Sequence, residues 1–105
     1  MGIHDGHREK MRRRFLETGL EGFADHEALE LLLYYAIPRR DTNPIAHALM
    51  DRFGSLDAVL SAPVEELCRV KGVGESAAAL LKLTPQVYRR SRIAAAERER
   101  VLNSS

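Results

Sequence analysis

The amino-acid sequence predicts an all-α domain, and three observations support this fold class. Apolar residues make up 45% of the 105 residues, only six residues are aromatic, and Leu and Ala dominate the apolar set. Both residue types favour helix over strand. Helix-capping residues and glycines recur at helical intervals, and no segment alternates between apolar and polar residues as a half-buried strand does. The chain is long enough to bury one core without disulfides.

Capping residues and glycines predict the boundaries of the first four helices. Asp5 is expected to cap a helix that closes at Thr18 and Gly19, and Asp25 to cap a broadly apolar second helix. Asn43, followed by proline, is expected to cap the third helix, which ends at Gly54. Ser55 caps a short fourth helix. The predicted helices cover about residues 6–17, 25–36, 44–53 and 55–60.

The remaining residues predict a turn between two helices, followed by a proline. Pro63 starts a short helix that runs to about Val70, and another helix begins after the glycines of the turn. Because proline lacks a backbone donor and clashes with the preceding helical turn, Pro85 predicts a break at Thr84 and a separate helix to about Arg100. Residues 103–105 are expected to fray. The predicted parts are a basic N-terminal helix (1–20), a hairpin domain (21–84) and a C-terminal basic helix with its tail (85–105).

Residues 67–81 are the most informative segment, reading Leu-Cys-Arg-Val-Lys-Gly-Val-Gly-Glu-Ser-Ala-Ala-Ala-Leu-Leu. Gly72 and Gly74 permit a tight turn and let a ligand approach the backbone. The small residues at 77–79 let the second helix pack closely on the first. The amides at the second helix's N-terminus have no helical partner and can receive a phosphate. This order is the pattern of a helix-hairpin-helix, which binds nucleic-acid backbones without reading sequence.

A weak internal repeat indicates a second, degenerate hairpin earlier in the chain. Ala46 and Leu49 match Ala78 and Leu81 at a constant offset, each pair near the start of a helix that follows a turn. The earlier turn, residues 37–44, lacks the two glycines. The predicted fold is therefore a tandem helix-hairpin-helix bundle of sterile-alpha-motif-like (SAM-like) shape. It has about five short helices, an N-terminal basic helix and a C-terminal helix.

Composition places few limits on the partner, although the charges are unevenly distributed. The net charge is only +1, but residues 8–14 are rich in Arg and Lys, residues 17–30 contain five Asp or Glu and no Lys or Arg, and residues 69–92 carry six Lys or Arg against one Glu. One face could therefore be positive and attract a polyanion. Cys68 is the only cysteine, so no internal disulfide forms, and it is interpreted as a small core residue. No apolar run is long enough to span a membrane, which favours a cytoplasmic protein.

Several motifs in combination resemble the amino-terminal domain of the RadC family. Arg-Asp-Thr-Asn-Pro at 40–44 followed by Phe-Gly-Ser at 53–55 is the most specific combination, and the similarity covers about residues 6–83. The resemblance implies a bacterial protein assigned by name to DNA repair, nucleoid-associated when bound to DNA, whose biochemical activity is unsettled. Further matching segments are residues 6–8, 25–27, 29–33, 35–39 and 70–75.

RadC proteins normally continue into a JAB/MPN-type domain with a His-x-His metal site. The four histidines of this chain form no such motif, so we expect no peptidase chemistry from it. No other nucleophile-and-base set is present either, and the chain is predicted not to be an enzyme. It could stand alone or be part of a longer protein. Its expected partners are duplex or branched DNA and a separate catalytic domain or repair protein.

The Gly-Val-Gly turn is the main predicted DNA contact. Its amides are expected to face a phosphate, with support from the helix dipole, the Ser76 hydroxyl and nearby lysines. The alternative is that Gly72 ends a helix and the turn only packs two helices. Glu75 weakens the phosphate interpretation, because its carboxylate would lie near the same anion. The predicted DNA-backbone contacts are Lys71, Gly72, Val73, Gly74, Glu75, Ser76 and Lys82.

The earlier turn is a predicted secondary DNA contact, through Arg39, Arg40, Thr42 and Asn43. If the two hairpins are equivalent, these side chains would contact the second strand of the DNA duplex. The alternative is that Thr42 or Asn43 caps a helix and that both arginines are solvated. The basic run at 8–14 could also contact DNA, although such a run is more often a solvated helix face. His7 and His26 are interpreted as capping or packing residues.

Two further expectations concern other ligands. Similarity to hairpins that bind a monovalent cation implies that the backbone carbonyls of Cys68, Val70 and Val73 surround K⁺ or Na⁺; no other cofactor is expected. The competing functional class is a SAM-like protein-interaction domain without nucleic-acid contact. In that class the hairpin glycines serve packing alone, and apolar residues near the C-terminus, such as Ile93 and Leu102, form a partner or self-association surface.

Overall fold

The computed structural model describes residues 5–103, and this part of the chain forms six α-helices and no strand. The all-α prediction is confirmed. The backbone of residue 5 belongs to α1, but its side chain, which was predicted to cap this helix, lies outside what is described, as do the last two residues of the predicted frayed tail. The helices are α1 (Asp5–Thr18), α2 (Asp25–Leu33), α3 (Thr42–Phe53), α4 (Leu56–Ser61), α5 (Val64–Leu67) and α6 (Glu75–Asn103).

The core lies between two helix pairs, α2 with α3 and α5 with α6, and α4 packs against both pairs. Each pair is joined by a turn, and α4 lies between the pairs in the chain. The repeat residues Ala46, Leu49, Ala78 and Leu81 are all completely buried in the same apolar cluster. The two halves of the repeat therefore serve the same purpose, because both present a small residue and a leucine where their helices meet the core.

Several predicted boundaries are confirmed by the capping geometry. The amide of Gly19 donates to the carbonyl of Phe15 at the end of α1 (2.7 Å). Gly54 ends α3 in the left-handed conformation with φ of 92°. Ser55 caps α4, since its hydroxyl oxygen accepts the amide hydrogen of Ala58 (3.3 Å). These signals are local in the chain, which explains why the sequence was sufficient to place them.

Two predicted caps are wrong by one or two residues. Asp25 is the first residue inside α2, and the residue before it, Ala24, occupies the cap position. The third helix is capped by Asp41, whose carboxylate accepts the amide hydrogen of Asn43 (3.1 Å). In both cases an acidic residue lies at the N-terminal, positive end of the helix dipole and stabilises it, although the cap is a different residue from the one predicted.

The predicted break at Thr84 is also wrong, because α6 is one helix with Pro85 inside it. The hydroxyl of Thr84 donates to the carbonyl of Leu80 (2.8 Å) and does not cap a new helix. Residues before the proline are held by packing against α4 and α5, and residues after it are rich in Ala, Arg and Glu, which favour helix. The packing of the residues before Pro85 and the helix propensity of the residues after it together outweigh the backbone hydrogen bond that the proline removes. The division into three parts remains a prediction.

Helix α1 is docked on the body of the domain and is not a free basic arm. The Arg14 guanidinium lies 4.0 Å from the centroid of the Phe23 ring and 3.5 Å from the Glu27 carboxylate. Arg12 and Arg13 form ion pairs with Glu9 on the exposed side of the same helix. Three arginines of the basic run therefore pair with nearby carboxylates of the same domain. This agrees with the alternative that the run forms a solvated helix face.

Cys68 is exposed, contrary to the prediction that it is a core residue. It follows the single turn of α5, in which Leu67 takes the buried face. Within residues 5–103, no helix has the length and apolar character needed to cross a bilayer.

Glu27 provides a pH-dependent contribution to stability. Its pKa is lowered, first because the Ala24 amide donates to its carboxylate (2.9 Å) and also because Arg14 is nearby. A carboxyl whose folded-state pKa is lowered stabilises the fold above its unfolded pKa and loses that effect as pH falls through its folded pKa. We expect Glu27→Gln to lower the free energy of unfolding by about 0.5–1 kcal/mol near pH 7 and by roughly nothing near pH 3. Urea denaturation at both pH values checks this. Glu21→Gln is the matched control, and an equal effect of both variants would contradict the assignment.

Candidate nucleic-acid interface

An open groove of about 450 Å³ lies between the two inter-helix turns of the domain. One wall is the segment that follows α2, including Arg39 and Arg40, and the other wall is the turn that leads into α6. Gly74, Glu75 and Ser76 line this second wall. The structure thus places two residues of the predicted secondary contact, Arg39 and Arg40, across a groove from Gly72, Gly74, Glu75 and Ser76 of the predicted primary contact.

The unpaired amides in this groove belong to the start of α6. Gly74 is the residue before the helix, and its carbonyl accepts the first helical hydrogen bond, from the Ala78 amide (3.0 Å). The amides of residues 74–77 are therefore those without a partner inside the helix. The amide of Val73, by contrast, donates to the Val70 carbonyl (3.0 Å), and its side chain is buried. The predicted contact through the Val73 amide is therefore not available in this structure, whereas the Ala77 amide belongs to the set without a helical partner.

The two glycines of the turn have different roles. Gly72 has φ of 96°, and a β-carbon built there would lie 2.7 Å from Cδ1 of Ile45. Gly72 is thus required for the turn and for its packing against α3, as the packing alternative proposed. Gly74 has no positive φ, and a β-carbon there would have no heavy atom within 4 Å. Its open surroundings leave room for a ligand at the start of α6.

The charges around the groove are mixed, with positive side chains in excess. Arg39 and Arg40 line it together with Glu75, and Lys71 and Asp41 line a depression that adjoins it through Arg40. Among the described residues, the side chains of Arg39, Arg40 and Lys71 form no ion pair. Three cationic side chains therefore face two carboxylates, and all three cations remain available to an anion.

Arg8 holds the arginine-bearing segment in place. Its guanidinium donates to the carbonyls of Ile37 and Arg40, each at 2.6 Å, and to the carbonyl of Tyr34 at 3.3 Å. It also lies 4.6 Å from the centroid of the Tyr34 ring. Arg8 is almost completely buried, so it acts from inside the domain and does not reach DNA itself.

A buried carboxylate, Glu30, organises the other end of the same segment. Its Oε1 accepts from the Tyr34 hydroxyl (3.1 Å) and lies 2.9 Å from Nε2 of His7, and its Oε2 accepts from the Asn43 side chain (3.1 Å). Burial, followed by the Glu30 charge, raises the pKa of Tyr34. The Thr42 hydroxyl donates to the Glu30 backbone carbonyl (3.2 Å).

These contacts correct the predicted secondary site. Thr42 is 0% exposed, so burial removes it from the set of DNA contacts. Asn43 is engaged by Glu30 through its side chain and by Asp41 through its amide, and neither residue is the helix cap. Arg39 and Arg40 alone remain exposed from that set.

Comparisons with known proteins show the family of this chain. The UPF0758 N-terminal domain family matches residues 5–79. The chain belongs to the UPF0758 family. A UPF0758 protein of Fusobacterium nucleatum is 48% identical over 80 residues, which cover 76% of this chain and 34% of the relative. A UPF0758 protein of Ruegeria pomeroyi is 48% identical over 77 residues, covering 73% and 34% respectively. The chain spans about a third of the length of these relatives. No solved structure matches it.

Two further predictions for this UPF0758 domain concern Lys82 and the cation site at the hairpin carbonyls. Lys82 donates to the Ser61 carbonyl (3.3 Å) and does not line the groove. The carbonyls of Cys68 and Val73 accept no backbone hydrogen bond within residues 5–103, whereas that of Val70 accepts one. A carbonyl has two lone pairs, so each of the three oxygens keeps at least one lone pair that no backbone amide uses. Within the same residues, no three His, Cys, Asp or Glu side chains cluster as metal ligands.

Sequence reasoning missed the roles of Arg8 and Glu30 in this UPF0758 domain. Glu30 was counted with an acidic band, although it is the only charge among leucines at 29 and 31–33. A single carboxylate in such a run indicates a buried group with partners, because charged residues are seldom buried without them. Arg8 carries no comparable signal, since its partners are backbone carbonyls more than twenty residues away.

Proposed function

We propose that this chain is a sequence-nonspecific DNA-binding module of a RadC-like, repair-associated protein, and that it binds the phosphate backbone. The observation that carries the proposal is the groove in which unpaired amides at the start of α6 face Arg39 and Arg40. It is supported by the resemblance of residues 40–44, 53–55 and 70–75 to the RadC amino-terminal domain. The relatives' names state no activity.

The chemistry of the groove suits a phosphate. The amides of a helix N-terminus point along the helix axis and carry its positive partial charge, so they stabilise an anion. Arginine adds a planar set of donors that can hold a phosphate through two hydrogen bonds. Neither group reads a base, and backbone contacts of this kind position a protein without sequence preference.

Glu75 limits the affinity of the isolated module. It is exposed, forms no ion pair within the described residues, and is the first residue of α6. In the free domain its carboxylate complements the helix dipole, whereas in a complex it repels the phosphate. We therefore expect weak binding that falls steeply as salt rises, because neutralised phosphates release counterions.

The deciding experiment uses two substitutions at Gly74, where a side chain meets no other atom. Asn and Asp are both favoured at a helix N-cap, so Gly74→Asn and Gly74→Asp should keep the fold. Asp adds a negative charge at the phosphate position, so we expect it to weaken binding by about tenfold or more relative to Asn. Fluorescence anisotropy with labelled duplex, flapped and branched DNA at several salt concentrations measures this difference.

A charge change in the opposite direction provides a second readout. Glu75→Gln removes the repelling carboxylate and is expected to strengthen DNA binding, whereas Arg40→Gln is expected to weaken it. Arg13→Gln, on the exposed face of α1 and away from the groove, is the matched control for loss of one positive charge. If the wild-type domain shows no salt-sensitive binding to any of these DNAs at low salt, the proposal is lost. Equal effects of Arg13→Gln and Arg40→Gln would contradict the site.

Recruitment of a catalytic partner extends the same proposal. The curated relatives are about three times longer than the matched segment, so further chain in those proteins accompanies this domain. A module that binds DNA backbone would hold such a chain on its substrate. The competing protein-interaction function predicts a partner at the exposed apolar residues near the C-terminus, such as Ile93 and Leu102, and no binding of DNA.

A further inference from the structure

A second charged surface lies along the middle of α6, well away from its N-terminus. Lys82, Gln86 and Arg89 are spaced by four and then three residues, so they lie on one face of the helix. They line a depression of about 200 Å³ beside the end of α4, together with Ser61. Arg92 follows Arg89 by one helical turn on the same side. We call Lys82, Gln86, Arg89 and Arg92 the basic face of α6.

The cations of the basic face have no carboxylate partner. Between Glu75 and Glu97 the helix contains no Asp or Glu, and Glu97 pairs with Arg100. Within residues 5–103, no cation of the basic face forms an ion pair. The basic run of α1 differs, since two of its arginines pair with Glu9. Like charges one helical turn apart repel each other, so an external anion on the basic face would remove an unfavourable interaction.

The basic face offers hydrogen-bond donors as well as charge. The Lys82 ammonium donates to the Ser61 carbonyl (3.3 Å) and has two further hydrogens. Within the described residues, the side chains of Gln86 and Arg89 donate no hydrogen bond, and both residues are exposed. An ammonium and a guanidinium are the groups that proteins use to hold phosphate oxygens. The donors around the depression therefore suit a phosphate.

The basic face and the candidate DNA interface are at different places on α6. The unpaired amides point along the helix axis, so a duplex that receives them lies beyond the N-terminal end of the helix. Arg89 lies about 21 Å along the axis from Glu75, because each residue advances a helix by about 1.5 Å. The basic face is on the side of the helix, behind that end. It is therefore available to a different segment of nucleic acid.

We propose that the basic face of α6 is a second surface for the DNA phosphate backbone, so that one chain holds two duplex segments at once. The inference rests on the proposed function of the groove, which holds the first segment. From Lys82 to Arg92 the cations extend over about 15 Å of the helix. This row matches a polyanion whose charges repeat every few ångströms along its axis. Branched DNA presents two such segments close together.

The experiment mixes the chain with equal amounts of a donor-labelled and an acceptor-labelled duplex and measures energy transfer between them. The wild type is expected to bring the two duplexes together at low salt. Arg89→Gln with Arg92→Gln should abolish the transfer, because the second segment loses two phosphate contacts. Two chains that each hold one duplex would instead keep the transfer in this variant, since their grooves are unchanged.

The matched control is Arg13→Gln with Arg98→Gln, which removes the same amount of charge from other surfaces. Arg98 is exposed, lies on the opposite side of α6 from Arg89, and forms no ion pair within the described residues. We expect the control variant to retain energy transfer. Equal losses in the control and in the Arg89 and Arg92 variant would overturn the proposal, because net charge alone would then explain them.

Binding to a single duplex separates the two surfaces. In the Gly74→Asp background, where the groove is impaired, Arg89→Gln with Arg92→Gln should weaken the remaining binding by about tenfold or more. It should also lower the slope of log affinity against log salt by about 2. Fluorescence anisotropy at several salt concentrations measures both.

The outcomes distinguish failure of this inference from failure of the groove. If the wild type binds one duplex through the groove but gives no energy transfer, the second surface is overturned and the proposed function stands. If Gly74→Asp binds as tightly as Gly74→Asn while the Arg89 and Arg92 variant loses binding, the groove fails and the basic face stands. Binding to vesicles of anionic phospholipid that requires Arg89 and Arg92, with DNA binding independent of them, would also overturn the proposal.

Discussion

Replacement of Arg8 by Met is expected to lower the free energy of unfolding by about 3 kcal/mol, the largest loss expected from a single side chain outside the apolar core. Met fills a similar volume but donates no hydrogen bond. The carbonyls of Tyr34, Ile37 and Arg40 would then lose a charged donor in a buried position. Denaturation in guanidinium chloride, followed by circular dichroism, measures the change.

The matched control for Arg8→Met is Arg13→Met on the same helix. Arg13 is exposed and, among residues 5–103, forms an ion pair only with Glu9, so we expect a change within about 0.5 kcal/mol. Because Arg8 positions the segment that carries Arg39 and Arg40, Arg8→Met should also weaken DNA binding at temperatures where the domain is still folded. Equal stabilities of the two variants would show that Arg8 does not anchor this segment.

Gly72→Ala is expected to lower the free energy of unfolding by about 2–4 kcal/mol, from two separate causes. A non-glycine residue at φ of 96° costs about 1–2 kcal/mol. The new β-carbon would also lie 2.7 Å from Cδ1 and 2.9 Å from Cγ1 of Ile45, and overpacking of this kind costs about 1–3 kcal/mol. Ile45 is itself buried in the core, so it has little room to move away.

Two further variants separate these causes. Gly54→Ala has a similar backbone angle, with φ of 92°, but its β-carbon would meet no atom within 4 Å, so it reports the backbone cost alone. Adding Ile45→Val to Gly72→Ala removes the atom nearest to the new methyl group, and the pair should be less destabilising than the sum of the single changes. If Gly72→Ala costs no more than Gly54→Ala, the packing argument fails. In either case substitutions at Gly72 report on folding, which leaves Gly74 as the position that tests phosphate binding.

The helices and the hairpin turn followed from local patterns. Gly19, Gly54 and Ser55 end or begin helices through contacts within four residues of the chain, and such contacts are legible in the sequence. The repeat pairs at 46 and 78 and at 49 and 81 were visible as well, because close packing of two helices demands a small residue next to a large one. The amides without a helical partner at the start of α6 lie within two residues of those predicted, since unpaired amides are a property of any helix N-terminus.

What the tertiary structure alone decided is which charged and polar groups remain available to a ligand. Arg8 and Arg39 both belong to basic stretches of sequence, yet one is buried against carbonyls and the other lines an open groove. Thr42 and Asn43 lie two and three residues after Arg40, but the buried Glu30 engages both of them. Pro85 continues a helix that local chemistry predicts to break. For Arg8 and for Thr42 and Asn43, the physical reason is a hydrogen bond between residues far apart in the chain. For Pro85 it is tertiary packing of the residues before the proline, together with the helix propensity of the residues after it.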